Sequence, residues 1–450
     1  MLRIKEILEA TGGELVRGNP DDYISGVSID SRTLKKGDIF ICIKGERFDG
    51  HDFIPAAIKN GAAAIVFCRD KELVSGGRIS RSCIAVKNTI TALSSLACYH
   101  RKRFSMPVIG ITGSNGKTTT KEMLACLLSS KYAVLKNEGT QNNIIGLSLT
   151  LLRLNVSYEI AVLELGTNHF GEIKELCRIC APSAGLITNI GPAHLEFFGD
   201  EKGVLKEKWE LIEGLRFPGI GILNADDGLL RDKLSGNVSA FFTFGVTHKA
   251  DFMARRILCK DRKTRFFIKN YPIELKTVSK VNVYNALAAY ALARIFGIDA
   301  SDIMYKFSRF EFPKSRFQLK RINGFKVIDD AYNANPASFY NAIDAFNNLR
   351  ARGRKIAVIG DMLELGKKSS QLHKQIGRVL GESAVDMLIG VGRLSHIACD
   401  AARTGGLNSK VIYKCRTTDE ARGIISGLLK KGDLILLKGS RAMRLEEIFK

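Results

Sequence analysis

The sequence predicts an α/β protein built in three units, and three observations carry that expectation. Short apolar runs closed by Gly, Asn or Asp alternate with helical periodicities through most of the 450 residues. One such run feeds a Gly-rich loop that opens a helix, at Gly110-Ile-Thr-Gly-Ser-Asn-Gly-Lys-Thr-Thr-Thr120. The pattern breaks at RFEFPKSRFQ, around Pro313, and resumes as a second set of strands and helices. At about 100–200 residues per domain the length suggests two to four domains. The expected boundaries are 1–86 for a small mixed α/β N-terminal domain, 87–313 for a central P-loop-type domain with a mostly parallel sheet, and 314–450 for a C-terminal α/β domain.

Taken in order, IKEILEATGGEL is an amphipathic helix stopped by a glycine pair. GVSIDSRTLKKGDIFICIKG places two apolar strands around a charged turn, and HDFIPAAIKNGAAAIVFC reads as helix, Gly stop and strand. A helix from Thr89 to Arg103 leads into the strand PVIGIT, the Gly-rich loop and the helix KTTTKEMLACLLSS. EIAVLELG, SAGLITNIG and GIGILNAD have the spacing of parallel strands in a doubly wound sheet. Residues 255–278 alternate like antiparallel strands, and VNVYNALAAYALARIFGI is a helix. GFKVIDDAY, RKIAVIGD, VDMLIGVG and GDLILLKG are the strands of the second sheet.

A hydrophobic share of 45% with 25% charged residues excludes wholesale disorder. No run of about 18 apolar residues exists, which excludes a transmembrane helix. The N-terminus carries Arg3, Lys5, Glu6 and Glu9 without an apolar core, so a secretory signal is not expected and a cytoplasmic location is. Lys and Arg number 68 against 46 Asp and Glu, a net +22 that draws anions. The basic residues are scattered, with the densest cluster at His100-Arg101-Lys102-Arg103, which fits a solvated surface better than a nucleic-acid footprint. The ten cysteines lack framework spacing and read as reduced, mostly buried thiols. Cys177 and Cys180 form a lone CxxC pair inside a helical stretch, with no second pair for zinc.

The Gly-rich loop is the strongest chemical signal. Thr112, Gly113, Ser114, Asn115, Gly116, Lys117, Thr118 and Thr119 span the turn from strand to helix, where backbone N–H groups can cradle phosphate. Lys117 would reach the outer phosphates and the Thr118 hydroxyl would hold magnesium. Glu164 ends the strand AVLELG, at the carboxyl edge where open α/β sheets bind ligands, and His194 follows another strand in NIGPAHLEFFG. Lys208, taken alone, reads as a surface lysine of a helix. Asn142 and Asn143, in TQNNIIG, read either as a polar turn capping a helix or as hydrogen-bonding groups for a polar substrate. Asn224-Ala-Asp-Asp227 reads as an N-cap. DDAYNANP, DMLELG and KGSR are further polar loops at strand ends.

Together TGSNGKTTTK, ELGTNHFGEI, NIGPAHLEFFG, DDAYNANPAS, GDMLELG and KGSRAM resemble the Mur ligase family, and the resemblance runs the length of the chain from DSRTLKKGDIF and GERFDGHDFI. It implies a first domain that binds a UDP-sugar, a second that binds ATP, and a Rossmann-like third that closes over the nucleotide and receives the amine. YNANP and GDMLELG point to the members that join D-alanyl-D-alanine to UDP-N-acetylmuramoyl tripeptide. The resemblance further implies that Glu164 and His194 ligate magnesium, as two ions with ATP, and that Lys208 is carbamylated to become a metal ligand. The residue after that lysine is usually small in the family and is Trp209 here. Asn285 matches an adenine contact, Arg316 a phosphate-binding arginine and Asp330 a ribose-binding aspartate. The Gly-x-His often found upstream of the asparagine is Ser279-Lys-Val281 here. Tyr332, Asn333 and Asn335 are implied contacts of dipeptide or nucleotide. Ser31, Arg32, Asp49, Gly50 and His51 are implied contacts of the uridine diphosphate.

The chemistry so implied is ATP-driven amide synthesis through an acyl phosphate, with Lys117, His194 and Lys208 as the catalytic set, carried out by a monomer without nucleic acid. A sister ligase adding one amino acid and a folylpolyglutamate synthetase-like ligase are the alternatives within that chemistry. A P-loop ATPase on nucleic acid would need a clustered basic face or stacking aromatics, and Trp occurs once. A non-catalytic scaffold would have lost Lys117, Thr118, Glu164 or His194, and all four are present.

Overall fold

The computed structural model describes residues 2–71, 81–234, 240–260 and 263–449, so residues 261–262 of the expected antiparallel stretch lie outside the described residues. Three sheets follow one another along the chain, with a short antiparallel pair, Leu2–Arg3 on Tyr23–Ile24, beside the first. The first sheet has five strands in the order Glu14–Arg17, Ser82–Val86, Ala64–Cys68, Ile39–Ile41, Val27–Ser28; all pairs are parallel except the Glu14–Arg17 edge. The helix Ile4–Thr11 stops where Gly12 turns left-handed at φ 64°, as the glycine pair predicts.

The helix Thr89–Lys102 belongs to two cores. Ala92, Leu93 and Leu96 pack with the first sheet, whereas Ala97 packs with Val108, Leu147 and Leu176 of the central unit. One amphipathic helix therefore ties the N-terminal unit to the middle one, each fully buried Leu contributing about 1.5–3 kcal/mol.

The central sheet has nine strands. Val134–Lys136, Ile160–Glu164, Val108–Thr112, Ala184–Ile187, Ile220–Asn224, Phe241–Gly245 and Phe252–Lys260 are parallel neighbours in that order. Lys263–Ile268 and Tyr271–Leu275 extend it antiparallel, as the alternation in 255–278 predicts. Val108–Thr112 is the earliest of these strands in the chain yet lies inside the sheet, between Ile160–Glu164 and Ala184–Ile187. From it the chain passes to the edge strand Val134–Lys136, comes back inward through Ile160–Glu164 and runs outward on the other side from Ala184–Ile187, so a crevice opens at its carboxyl end.

The third sheet runs Gln318–Ile322, Phe325–Asp330, Leu434–Lys438, Lys355–Gly360, Met387–Val391, Ile412–Cys415. Five strands are parallel, with helices on both faces, and the edge strand Gln318–Ile322 is antiparallel. Two strands were not expected. Gln318–Ile322 (QLKRI) carries two charges in five residues because its pattern serves an edge, and Ile412–Cys415 is only four residues long. All ten cysteines are free, and Cys177 and Cys180 are buried on the helix Glu172–Cys180, whose burial pushes both thiols up, Cys180 to about 12. Among the described residues no helix is long and apolar enough to cross a membrane.

Candidate active site

The five residues of Val108–Thr112 are buried and deliver the Gly-rich loop to the crevice. Both glycines are required by geometry. Gly113 has φ +145°, and a Cβ there would lie 1.9 Å from Thr188 Oγ1; Gly116 has φ +83°, and a Cβ there would lie 2.3 Å from Asn285 Oδ1. The loop is pinned from the next strand. Ser114 N–H donates to the Asn189 carbonyl (2.9 Å), Asn115 N–H to Asn189 Oδ1 (3.0 Å), and Thr188 Oγ1 to the Asn115 carbonyl (2.6 Å). The N–H groups of Ser114 and Asn115 are thus already used. The donors left for an anion are those of Lys117, Thr118 and Thr119, which helix geometry leaves without an intrahelical acceptor. Thr112 stands behind the loop, fully buried, its hydroxyl donating to the Leu165 carbonyl (2.9 Å).

Lys117 Nζ donates to the Gly113 carbonyl, 2.8 Å away. Burial lowers its ammonium pKa below the usual value, Glu164 opposes the shift and Arg316 adds to it. Glu164 is 1% exposed and held from three sides. Asn137 brackets its backbone, accepting from the Glu164 N–H and donating to its carbonyl, both at 2.9 Å. Asn142 Nδ2 donates to Oε1 at 2.7 Å. Oε2 is buried with no hydrogen-bond partner, an arrangement that a cation would complete.

Lys208, on the helix Glu201–Glu213, is 2% exposed, which corrects its reading as a surface lysine. Burial, and then the Lys117 charge, bring its pKa down to about 7. It does not line the cleft itself. Its neighbour Glu207 accepts from Thr167 Oγ1 (2.8 Å) and from the N–H groups of Gly171 (2.7 Å) and Ile173 (2.9 Å), holding the loop whose Thr167 and Asn168 line the cleft. Trp209 faces away, into a cluster with Ile187, Ile212 and Leu223, so its bulk occupies core.

His194 is left-handed at φ +52° and opens the turn Leu195–Phe198. Its Nδ1 meets Glu364 Oε2, from the third unit, at 2.5 Å, and that hydrogen bond holds the Glu364 carboxyl below its usual range. Two more contacts join the units around the loop. Arg316 Nη2 donates to Thr118 Oγ1 (3.0 Å) while its guanidinium stacks over the Tyr332 ring (4.0 Å), and Asn335 Nδ2 donates to Asn115 Oδ1 (2.9 Å). Asn335 also caps the helix Pro336–Asn347 through Ser338 N–H.

These groups enclose a cleft of about 350 Å³ bounded by the loop, Glu164, His194, Asn285, Arg316, Asp330, Tyr332, Asn333 and Asn335. Ser279 and Val281 lie on its wall. Asn285 is fixed by Asn282 and Thr120, and Asp330 by the Phe317 N–H (3.0 Å) and Lys438 Nζ (2.7 Å). A second chamber of about 510 Å³ continues from Lys117 and His194 past Asn333 and Glu364 to Ser440 and Arg441.

Nine of the expected residues are not on either wall: Thr112, Gly113 and Lys208, described above, and six more. Asn143 caps the helix Ile144–Leu151, its Oδ1 accepting from Gly146 N–H (2.9 Å). Asn143→Ala should therefore cost about 1 kcal/mol of stability with substrate KM within twofold; a many-fold rise in KM with unchanged stability would place it on substrate instead. In the first unit, Ser31 accepts from Asn60 Nδ2 (2.8 Å), and Arg32 is exposed and paired with Asp30, which it brings down to about 2. Gly50 passes so close to Ile43 that a Cβ would lie 2.6 Å from its nitrogen. Asp49 and His51 clasp each other at 2.5 Å, and His51 Nε2 accepts from the Cys68 N–H (2.9 Å), so both ring nitrogens are engaged within the protein. Burial alone would raise the Asp49 carboxyl, but donation from His51 brings it to about 2. Asp227 is the N-cap that the sequence predicts, accepting from Leu230 N–H.

Several contributors escaped the sequence reading. Lys121 is fully buried and donates to the carbonyls of Asn137 (2.6 Å) and Gly139 (3.2 Å), supporting the loop that carries Asn142. Its spacing of four from Lys117, on one helix face, is the signal that was there to use. Asn137 and Glu207 carried no local signal.

A helix start with free N–H groups, a buried carboxylate oxygen lacking a partner and an amine that is half neutral near pH 7 together suit phosphoryl chemistry with a divalent cation. Residues 23–101 match the Mur ligase family catalytic domain, 111–293 the Mur ligase middle domain and 315–441 the Mur ligase glutamate ligase domain. The UDP-N-acetylmuramoyl-tripeptide–D-alanyl-D-alanine ligase of Bacillus subtilis (strain 168) is 37% identical over 99% of this chain and 97% of its own. A crystal structure of MurF from Acinetobacter baumannii superposes with a TM-score of 0.88 at 30% identity, covering 99% of this chain and 97% of the other. MurF ligase from Thermotoga maritima in complex with ADP gives 0.79 at 31% identity, over 94% and 96%.

Proposed function

The chain belongs to the Mur ligase family, and from that premise we propose that it joins D-alanyl-D-alanine to UDP-N-acetylmuramoyl tripeptide, with ATP converted to ADP and phosphate, in cytoplasmic peptidoglycan precursor synthesis. The observation that carries the reading is the continuous cleft from the phosphate loop, past Lys117 and His194, to Arg441. It offers one chamber for a nucleotide and one for an incoming amine, with the reacting groups at their junction.

A carboxylate is a poor electrophile and must be activated. The tripeptide carboxylate oxygen attacks the γ-phosphorus, the bond to ADP breaks, and an acyl phosphate forms. The protein's part is positioning and charge neutralisation. Lys117 leaves the Gly113 carbonyl for the outer phosphates, and the N–H groups of Lys117, Thr118 and Thr119 receive phosphate oxygens. Asn285 faces adenine, Asp330 the ribose and Arg316 the phosphates. The dipeptide amine then attacks the acyl carbon, the tetrahedral intermediate expels phosphate, and the amine gives up its proton. The third unit, lying over the loop through Arg316 and Asn335, keeps water from the acyl phosphate.

Thr118, Glu164 Oε2, His194 and Lys208 as a carbamate would hold two magnesium ions. The partnerless Glu164 oxygen fits this, and so does the Lys208 amine, because carbon dioxide reacts with a neutral amine. Bound magnesium supplies countercharge to the phosphates and carboxylate. In the first unit, Ser31 and Arg32 are assigned to the uridine diphosphate together with the loop that Asp49, Gly50 and His51 shape.

In the second chamber, Arg441 is the cation suited to the dipeptide carboxylate. Arg441→Ala should raise the KM for D-alanyl-D-alanine about tenfold with the KM for ATP within twofold; an unchanged dipeptide KM would remove that contact. The function itself is tested by product mass. The dipeptide should give UDP-N-acetylmuramoyl pentapeptide, and efficient ligation of a single amino acid would move the chain to a sister activity.

A further inference from the structure

Glu364 lines the second chamber without a contact assigned to it above, and it reaches across from the third unit to the central one. Its neighbours Met362 and Leu365 are 1% and 2% exposed and anchored in the core of the third unit. Between them Glu364 is held left-handed at φ +62°, opposite His194 at φ +52°. A non-glycine residue in that region costs about 1–2 kcal/mol and persists where its surroundings impose it. Here the two loops dock at two points. The Glu364 carbonyl accepts from Glu196 N–H at 3.1 Å, and the Glu364 carboxylate meets His194 Nδ1 at 2.5 Å. Gly366 permits the approach, because a Cβ there would lie 3.1 Å from the Glu196 Cα.

A carboxylate only accepts, so His194 carries its proton on Nδ1 and leaves a lone pair on Nε2. Among the described residues no group is hydrogen-bonded to Nε2. A carboxylate on the distal nitrogen is how imidazole ligands are commonly oriented toward a metal. We propose that Glu364 is a positioning residue that fixes the tautomer and orientation of His194, so that seating the third unit on the central one completes the metal site. The proposal rests on the reading of His194 as a magnesium ligand. Its consequence is that metal affinity and docking of the third unit are coupled through one side chain.

The test measures Mn²⁺ binding to the full-length protein with ADP by electron paramagnetic resonance, beside the Mg²⁺ dependence of turnover. Glu364→Ala should weaken Mn²⁺ binding and raise the half-maximal Mg²⁺ concentration about tenfold, with the KM for ATP within twofold. Glu364→Gln, whose oxygen can still accept from Nδ1–H, should recover most of the loss, and it serves as the test if the alanine variant folds poorly. In a His194→Ala background, Glu364→Ala should add nothing. Unchanged Mn²⁺ binding in Glu364→Ala, with His194→Ala weakened, would overturn the positioning role and leave the metal reading intact. An equal added loss in both backgrounds would overturn it too. Unchanged binding in His194→Ala would overturn the metal reading of His194 and this proposal with it.

Discussion

Lys117→Ala is expected to lower kcat by about 10³-fold or more while the protein stays folded. The ammonium is the cation assigned above to the outer phosphates, and it donates a hydrogen bond to the Gly113 carbonyl. No other lysine on that helix can replace it, since Lys121 is buried and committed to Asn137 and Gly139. The fold should tolerate the change, because Lys117 opens the helix and alanine is the best helix former. The loop itself is pinned by Thr188 and Asn189, not by the lysine. Turnover with saturating substrates, beside thermal unfolding of both proteins, decides the matter. Wild-type-like turnover would remove the phosphate-site assignment.

Lys208→Ala should lower turnover by about 10²-fold or more, and added short-chain carboxylates should restore part of it. The reason lies in burial. An ammonium 2% exposed beside the Lys117 charge is costly, so its pKa falls to about 7 and much of the amine is neutral at physiological pH. A neutral amine can form the N–C bond to carbon dioxide, losing a proton, and the product is an anion suited to a cation site. Below about pH 7 the amine protonates, so wild-type activity should fall there and recover in part with bicarbonate. Without the carbamate the sign for stability is set by the depressed pKa. The unfolded chain binds the proton first, so stability is lost as pH falls from about 10 to about 7. A carbamate resonance in ¹³C-bicarbonate should appear in the wild type and vanish in Lys208→Ala; no loss of activity in the variant would mean that this chain uses no carbamate.

Much of this was legible in the sequence because it is periodic or local. The strands VIGIT, AVLELG and GLITNIG, the Gly-rich turn and the helix cap at Asp227 each depend on a few adjacent residues. What was not legible depends on partners far along the chain. Lys208 looks solvated on its own helix and is buried only because the sheet and the neighbouring loops cover it. Asn143 and His51 carry polar groups suited to substrate, yet the structure engages them with Gly146 and with Asp49 and Cys68. Glu364 gains a role only through a contact 170 residues away in sequence, and Asn137 through one 27 away. The strand Gln318–Ile322 escaped because an edge strand need not be apolar.

The acyl phosphate is the centre of the account, and isotope transfer tests it most directly. UDP-N-acetylmuramoyl tripeptide labelled with ¹⁸O in its reacting carboxylate would be turned over with ATP, magnesium and D-alanyl-D-alanine, and the released phosphate analysed by mass spectrometry. The account predicts one ¹⁸O in phosphate for each pentapeptide formed. Pentapeptide formed with unlabelled phosphate would contradict it, because the carboxylate would then never have been bonded to phosphorus.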